Sequence, residues 1–525
     1  MIVLLCQDLE RLGNGLDLGA VTEWLEARAA GIEVRRASGP CQRPERWLDR
    51  SLGGAHRLVL GLCATNGDRH ELHASARKLR LDPFGLAVLN LGVYCAMPHP
   101  RPDATEKAKL LLAAAVARAQ AYPGSRPENA KPLLSWGGEK VSRRSLLTLP
   151  PIQYEIVPSI REKACAAGQG CRVCAKVCPR DALRPSGDGR MSLNRAQCTG
   201  CGACVSLCPL GAIDFPGASL PEIEAQIAAL LNAADPSLRP RGILFHCEKS
   251  VPALERLAQT GFSYPAGWLP VELPCIGMVT PTWVLQSLNQ GAAAVGVLPC
   301  GRADCRFGQR QVIEGRVDYC RELLRQVGRS PDAVKILDAA DETELARALA
   351  SLPVPEASAN AKRTQALGLS GPHAIAQAVL GLAERHEAPL GRSLAHPFSP
   401  LGVVEIRKGC TGCGACAFVC PTGALAVERE DGAVSLSFDA RFCIGCQECV
   451  PACPEAVVRA QKVTDRQALS AGKRALFRDS EVRCEKCGAP VAPREMLGRI
   501  SAILGKDPAL SVITRYCLTC RGSLS

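Results

Sequence analysis

The chain has 525 residues, 47% of them hydrophobic and 4% aromatic, with 29 cysteines, a length that suits about three to five domains. Its formal charge of +12 invites a nucleic-acid reading. That reading is excluded if the cysteines hold metal, since each site of four thiolates carries about −2 and seven such sites contribute roughly −14. No apolar run reaches the roughly 18 residues of a membrane span, and the opening MIVLLCQDLERLG turns charged too early for a signal segment.

Every cysteine except Cys320 falls into one of seven ordered groups of four. Arg143-Arg144 resembles a twin-arginine pair but lies far inside the chain. Free thiols at this density imply a reducing compartment, hence the cytoplasm.

Residues 1–121 alternate short apolar runs with amphipathic stretches. Strands are expected over 2–5, 32–36, 58–62 and 86–91, and helices over 21–30, 43–51, 71–79 and 104–121. That alternation predicts a parallel sheet. Cys6, Cys63 and Cys95 follow the first, third and fourth strands, and Cys41 lies in the loop after the second. All four belong at the carboxyl edge, where open α/β sheets bind ligands; four small buried thiols are the alternative. The segments LVLGLCATNGDRHELHASARKLRLDP, NLGVYCAMPHP and ATEKAKLLLAAAVARA resemble the N-terminal domain of the flavin-carrying polypeptide of heterodisulfide reductase. The resemblance implies a [4Fe–4S] cluster on Cys6, Cys41, Cys63 and Cys95. In that family a flavin-binding domain follows, opening with G-x-G-x-x-G after a strand. No such fingerprint occurs here, so no flavin is expected.

A stretch rich in Pro, Gly and Arg, 122–160, reads as a linker. Residues 161–220 then carry two iron–sulfur motifs, Cys165-x5-Cys171-x2-Cys174-x3-Cys178-Pro179 and Cys198-x2-Cys201-x2-Cys204-x3-Cys208-Pro209. Two-residue gaps wrap three thiolates around one cluster, and the cysteine before proline reaches the other cluster of the pair. Site one is therefore expected on Cys165, Cys171, Cys174 and Cys208, and site two on Cys178, Cys198, Cys201 and Cys204. The long first gap makes Cys165 the member that departs from the pattern.

Residues 236–345 repeat the α/β design. GILFHC, WLPVELPC and AAVGVLPC read as strands leading to Cys247, Cys275 and Cys300, with Cys305 shortly after and helices over 251–260, 281–290 and 315–327. Four cysteines again converge on one carboxyl edge. Cys320 falls inside the last helix and reads as an ordinary buried thiol. VELPCIGMVTPTWVLQSLNQGAAAVGVLPCGRADCRFG is similar to the delta subunit of methyl-viologen-reducing hydrogenase. That resemblance implies a docking domain with a [2Fe–2S] cluster on Cys247, Cys275, Cys300 and Cys305.

Residues 346–400 read as a linker with one helix over 374–385. Residues 401–462 hold a second motif pair, each member ending in Cys-Pro. It places site three on Cys410, Cys413, Cys416 and Cys453, and site four on Cys420, Cys443, Cys446 and Cys449. In the tail, 480–525, Cys484-x2-Cys487 and Cys517-x2-Cys520 form a zinc-ribbon signature. Zinc, or iron in the same tetrahedral geometry, fits four thiolates. His99, His246 and His373 read as surface or loop residues, and there is no GxSxG or Walker A sequence.

The fold class expected is multidomain α/β plus α+β. It comprises two small parallel-sheet domains, two ferredoxin-like modules with two [4Fe–4S] clusters each, and a C-terminal zinc ribbon. The expected function is an iron–sulfur electron-transfer subunit with redox partners, no nucleic acid and no membrane span. It would join a dehydrogenase or hydrogenase to a reductase or ferredoxin. The order of motifs also looks like the 4Fe–4S proteins encoded beside molybdenum formate dehydrogenases, which leaves an accessory or maturation role as the alternative.

Overall fold

The computed structural model describes residues 1–28, 31–38, 57–63, 72, 76–77, 81–133, 153–232, 238–301, 308–338, 342–353, 368, 371, 373–430 and 432–522. In the N-terminal module β1 (Ile2–Cys6), β2 (Glu33–Ala37), β3 (Leu58–Leu62) and β4 (Leu86–Asn90) form a parallel sheet in the order β2-β1-β3-β4. β1 and β3 are buried along their whole length, as continuous apolar runs in a sheet covered on both faces require. The helix Arg101–Ala121 starts three residues before the expected 104, with Pro102 in its first turn, where a missing N–H costs nothing. The helices expected over 43–51 and most of 71–79 lie outside the described residues.

Within the stretch read as a linker, β5 (Ala130–Leu133) pairs antiparallel with β6 (Gln153–Ile156). The first motif pair is framed by β7 (Ser159–Ile160), β8 (Leu183–Pro185), β9 (Met191–Leu193) and β10 (Ile213–Asp214). They make two small antiparallel pairs, β7 with β10 and β8 with β9. A helix at Leu220–Asn232 follows, burying Ile223, Ile227, Leu230 and Leu231 against the helix Arg101–Ala121. Arg118 clamps the contact. Its Nη1 donates to Gln226 Oε1 at 3.0 Å, and its Nη2 donates to the Gly217 carbonyl.

The middle module is a second parallel sheet of β11 (Gly242–Cys247), β12 (Trp268–Leu273), β13 (Val295–Leu298) and β14 (Val334–Ile336), ordered β12-β11-β13-β14. Helices at Val251–Gln259, Pro281–Asn289 and Arg310–Gln326 fall where the sequence places them, the last beginning five residues early. Trp268, Trp283 and Phe245 are fully buried in its core; a phenylalanine buried this way contributes about 1.5–3 kcal/mol. The helix Ala374–Arg385 packs on Pro281–Asn289, accepting from Gln286 at the Ala374 carbonyl (3.1 Å) and from Asn289 at the Ala378 carbonyl (2.9 Å).

The second motif pair is framed by β15 (Ser393–Ala395), β16 (Val403–Ile406), β17 (Leu425–Glu430), β18 (Ala433–Asp439), β19 (Val458–Gln461) and β20 (Val463–Asp465). β16 pairs with β19 and β15 with β20. The β17–β18 hairpin goes on to recruit β21 (Lys473–Arg483) and β22 (Pro490–Pro493) into one antiparallel sheet, β17-β18-β21-β22. Helices Arg494–Leu504, Ala509–Arg515 and Leu518–Arg521 complete the C-terminal unit. No helix among the described residues is long and apolar enough to cross a membrane.

Candidate metal centres

The ferredoxin-type motifs fold in a similar way. The cysteine loop passes through glycines at positive φ, such as Gly202 (φ 74°) and Gly414 (φ 79°), a conformation that other residues adopt at a cost. In three of the four motifs a single helical turn follows, Val173–Val177, Ala203–Leu207 and Ala415–Phe418, whereas the Cys443–Cys453 motif makes non-helical turns there. The chain then leaves the turn at the cysteine that precedes proline.

Four cavities result, and each is lined by one of the expected crossed sets. One is lined by Cys165, Cys171, Cys174 and Cys208. One is lined by Cys178, Cys198, Cys201 and Cys204. One is lined by Cys410, Cys413, Cys416 and Cys453. One is lined by Cys420, Cys443, Cys446 and Cys449. Cys165, despite its long gap, lines the first of them.

The donors fit a polynuclear iron–sulfur group. Backbone N–H groups already aim at sulfur: Ala182 donates to Cys178 Sγ at 3.3 Å, and Ala212 donates to Cys208 Sγ at 3.2 Å. Such bonds stabilise negative charge on a thiolate. Burial, then repulsion among neighbouring thiolates, pushes the Cys174 thiol up to about 12, Cys416 to about 11 and Cys449 to about 12. Four crowded thiolates of this kind call for a shared cation; iron supplies it.

The tail cysteines behave differently. The sulfurs of Cys484, Cys487, Cys517 and Cys520 all lie within 4.8 Å of one another, with Cys487 and Cys517 3.6 Å apart. Tetrahedral zinc with Zn–S near 2.3 Å spaces its sulfurs at about 3.8 Å, so this set fits a single ion. The first knuckle follows β21 and the second opens the helix Leu518–Arg521, with two helices in the spacer between them.

In the N-terminal module the Sγ atoms of Cys6 and Cys63 lie within 4.8 Å of each other and of an Asp8 carboxylate oxygen, and Cys6 Sγ donates to Asp8 Oδ2 at 3.5 Å. Asp8 was missed in the sequence; its signal was its place two residues after a strand-end cysteine. Cys95 is not in that group. It sits fully buried in the π-helical turn Gly92–Ala96, a rare form that marks functional sites, and burial pushes its thiol up to about 12. Gly92 lets this turn press on the Cys63 carbonyl, where a side chain would collide. Cys41 lies outside the described residues.

In the middle module Cys247 ends β11, and Cys275 and Cys300 stand two residues beyond the neighbouring strands β12 and β13. They therefore share one carboxyl edge. Gly277 N–H donates to Cys275 Sγ at 3.3 Å. Cys305 lies outside the described residues, and Cys320 is fully buried within its helix.

The histidines correct the sequence reading. His99 is 1% exposed and His246 is fully buried, both at the contact between the two α/β modules. His246 Nε2 lies 3.3 Å from the Tyr94 hydroxyl, and His99 Nε2 lies 2.9 Å from the buried Lys107 ammonium. Burial, reinforced by the Lys107 charge, drives His99 down to about 2 and so keeps it neutral. His246 sits in β11, and nothing in the sequence signals that Tyr94 of another module is its partner.

Two parallel sheets, two dicluster modules and cysteines gathered at four cavities define the class: an iron–sulfur protein. Comparison with known families agrees. Residues 243–352 match the family described as methyl-viologen-reducing hydrogenase, delta subunit, and residues 164–212 and 409–457 each match a 4Fe–4S dicluster domain. The chain is similar to an iron-sulfur subunit of the F420-non-reducing hydrogenase of Archaeoglobus profundus, 31% identical over 77 residues, 14% of this chain and 56% of that one. It is similar to the formate dehydrogenase iron-sulfur subunit of Wolinella succinogenes, 44% identical over 43 residues, 8% of this chain and 22% of that one. The iron-sulfur subunit of the arsenate respiratory reductase of a Shewanella species is 32% identical over 72 residues, 14% of this chain and 29% of that one. The aligned parts span about half of the first of these relatives and under a third of the other two.

Proposed function

We propose that this chain relays electrons between a dehydrogenase or hydrogenase and a reductase or ferredoxin. The observation that carries the reading is the lining of four separate cavities by the four crossed cysteine sets. When bound, a [4Fe–4S] group exchanges one electron at a time at a potential set by charge, hydrogen bonds and exposure. The chain's own contribution is to hold thiolates in place, aim N–H groups at them and exclude water.

The finer assignments belong to the same proposal. Sites one to four take [4Fe–4S] groups on the cysteine sets given above. Cys6, Cys41, Cys63 and Cys95 hold a fifth, and Cys247, Cys275, Cys300 and Cys305 hold [2Fe–2S], about 22 iron atoms in all by ligand count. Cys484, Cys487, Cys517 and Cys520 hold zinc, or iron, as a structural site. The domains are 1–121, 161–220, 236–345, 401–462 and 480–525, joined by 122–160 and 346–400. No flavin is bound, and the protein works in the cytoplasm, where exposed thiols such as Cys413 stay reduced.

Anaerobic purification with iron, zinc, sulfide and flavin analysis tests this reading. Iron near the six-group count, with redox proteins co-purifying, is the expected result. Stoichiometric flavin after acid release overturns the architecture. Co-purification with nothing but an incomplete catalytic partner favours the accessory role over the relay.

A further inference from the structure

The contacts between modules fall beside cysteines, and they fall in a repeated way. Cys275 of the middle module packs with Cys201 and Ala203 of site two, and a side chain on Gly202 would run into Met278. The two dicluster modules meet beside site one and site four. Gly170, just before Cys171, faces Val419, just before Cys420. Lys176, between Cys174 and Cys178, pairs with Glu448, between Cys446 and Cys449, at 2.5 Å. At the far end Gly412, just before Cys413, faces Phe477 and Pro493 of the C-terminal sheet, and Cys413 itself is exposed.

The two dicluster modules are thus joined head to tail. The second cysteine of the later motif (Cys201 or Cys446) lies against the preceding unit, and the second cysteine of the earlier motif (Cys171 or Cys413) lies toward the next. We infer that electrons cross this chain in single file, from the Cys275 edge through sites two, one, four and three. The Lys176–Glu448 pair holds the junction between the dicluster modules beside sites one and four. This order rests on the electron-transfer reading above. Each transfer moves one electron: the site behind is oxidised by one, the site ahead is reduced by one, and no bond forms or breaks. A low-potential one-electron donor outside the chain supplies the electron, and a partner oxidant removes it. Lys176 and Glu448 are positioning residues: Lys176 belongs to none of the cysteine sets, and Glu448, which lines the site-four cavity, is paired with Lys176. The helix Arg310–Gln326 of the middle module also touches the second dicluster module, through Tyr319 and Thr464 at 2.7 Å. The same helix also reaches the Cys275 edge, where Arg316 donates to the Gly277 and Val279 carbonyls at 2.8 and 2.7 Å, but neither Tyr319 nor Thr464 is a cluster ligand.

The test uses the full-length, anaerobically loaded protein. Zero-length carbodiimide coupling and peptide mass spectrometry are expected to join Lys176 to Glu448; absence of that cross-link overturns the junction. Lys176→Glu sets two carboxylates face to face and is expected to retain the full iron content. It removes the magnetic interaction between site-one and site-four signals in dithionite-reduced protein. It also slows freeze-quenched redistribution of a limiting electron between the modules by about fivefold. That factor is the equivalent of an exposed pair worth up to about 1 kcal/mol. Lys176→Glu/Glu448→Lys restores both signals. Full iron in Lys176→Glu with interaction and redistribution unchanged also overturns the junction. Wild-type iron far below four clusters overturns the electron-transfer reading itself, and metal analysis alone distinguishes that failure.

Discussion

The two dicluster modules share a motif but differ in what covers them. In the first, Cys201 is buried under Cys275 and Cys171 is half-buried toward the second module. In the second, Cys446 is half-buried toward the first module while Cys413 is exposed. Their hairpins differ too: β8 and β9 are three residues each, whereas β17 and β18 run six and seven and carry two further strands. A short hairpin leaves a module whose contacts are made by cysteine loops. A long one turns the module into a platform. The same ligand chemistry thus serves as an internal link in one place and as an open end with an added structural unit in the other.

The strongest way to break this comparison is a matched pair, Cys171→Ala and Cys413→Ala. Each is expected to lose about four iron atoms. Only Cys171→Ala blocks passage between the modules, whereas Cys413→Ala leaves sites two, one and four exchanging electrons. Freeze-quench EPR with iron analysis reads this, and identical patterns of reduced centres in the two variants sink the distinction.

Next in size is removal of the metal proposed for the tail cysteines. Structural zinc sites contribute about 10–16 kcal/mol of apparent folding energy. A chelator strong enough to strip Cys484, Cys487, Cys517 and Cys520 should therefore unfold 484–522 while the ferredoxin-type iron stays bound. Hydrogen exchange of the helix Arg494–Leu504 reports it; full protection after zinc loss means the helices hold without metal.

A smaller effect separates Gly202→Ala from Gly414→Ala. Both residues have positive φ, so each substitution costs about 1–2 kcal/mol in backbone strain. A methyl group on Gly202 also meets Met278 across a module boundary, whereas one on Gly414 meets Val427 within its own module at 3.1 Å. Gly202→Ala should lower the anaerobic unfolding midpoint more, and equal shifts would remove the boundary from the account.

The smallest effect is on pH dependence. Glu222 accepts from Ser219 Oγ at 2.7 Å and from the Gly217 and Ser219 N–H groups behind the first module. Burial, only partly offset by Arg118 and these donors, holds its carboxyl above the usual range. A folded-state pKa above the unfolded one means stability present at acid pH and lost as pH rises through the folded value. Glu222→Gln should remove that decline. Parallel midpoint curves for the two proteins from acid to neutral pH would show that Glu222 does not contribute.

Spacing made the ferredoxin sets legible, because cysteine gaps and the following proline encode the crossing of ligands within a few residues. Even Cys165, whose gap departs from the pattern, lines the same cavity as its partners. The parallel sheets were legible from apolar runs, with strand ends within about a residue or two of the expected ones. What escaped was what depends on partners distant in the chain. β5 and β6 are four residues each, too short to show a period, and β21 mixes charged residues into a run with no fully buried position. The helix Leu220–Asn232 was overlooked because its apolar face only gains meaning against Arg101–Ala121. The Asp8–Cys63, His99–Tyr264 and His246–Tyr94 contacts join groups far apart in the sequence.

The pairing of β16 with β19 and of β18 with β21 also sets a timetable for the growing polypeptide. Both motifs of the second module leave the ribosome before β19, the strand that ties their two ends together, and the free edge of β18 waits longer still for β21. Pairings between strands far apart in sequence form late, and an unpaired strand edge is a template for the wrong partner. The nascent chain therefore passes through a stage in which its thiols are accessible and its sheet is unfinished. Arrival of iron and sulfide during that stage competes with mispairing, so cluster supply bears on the yield of this protein before it bears on its redox behaviour.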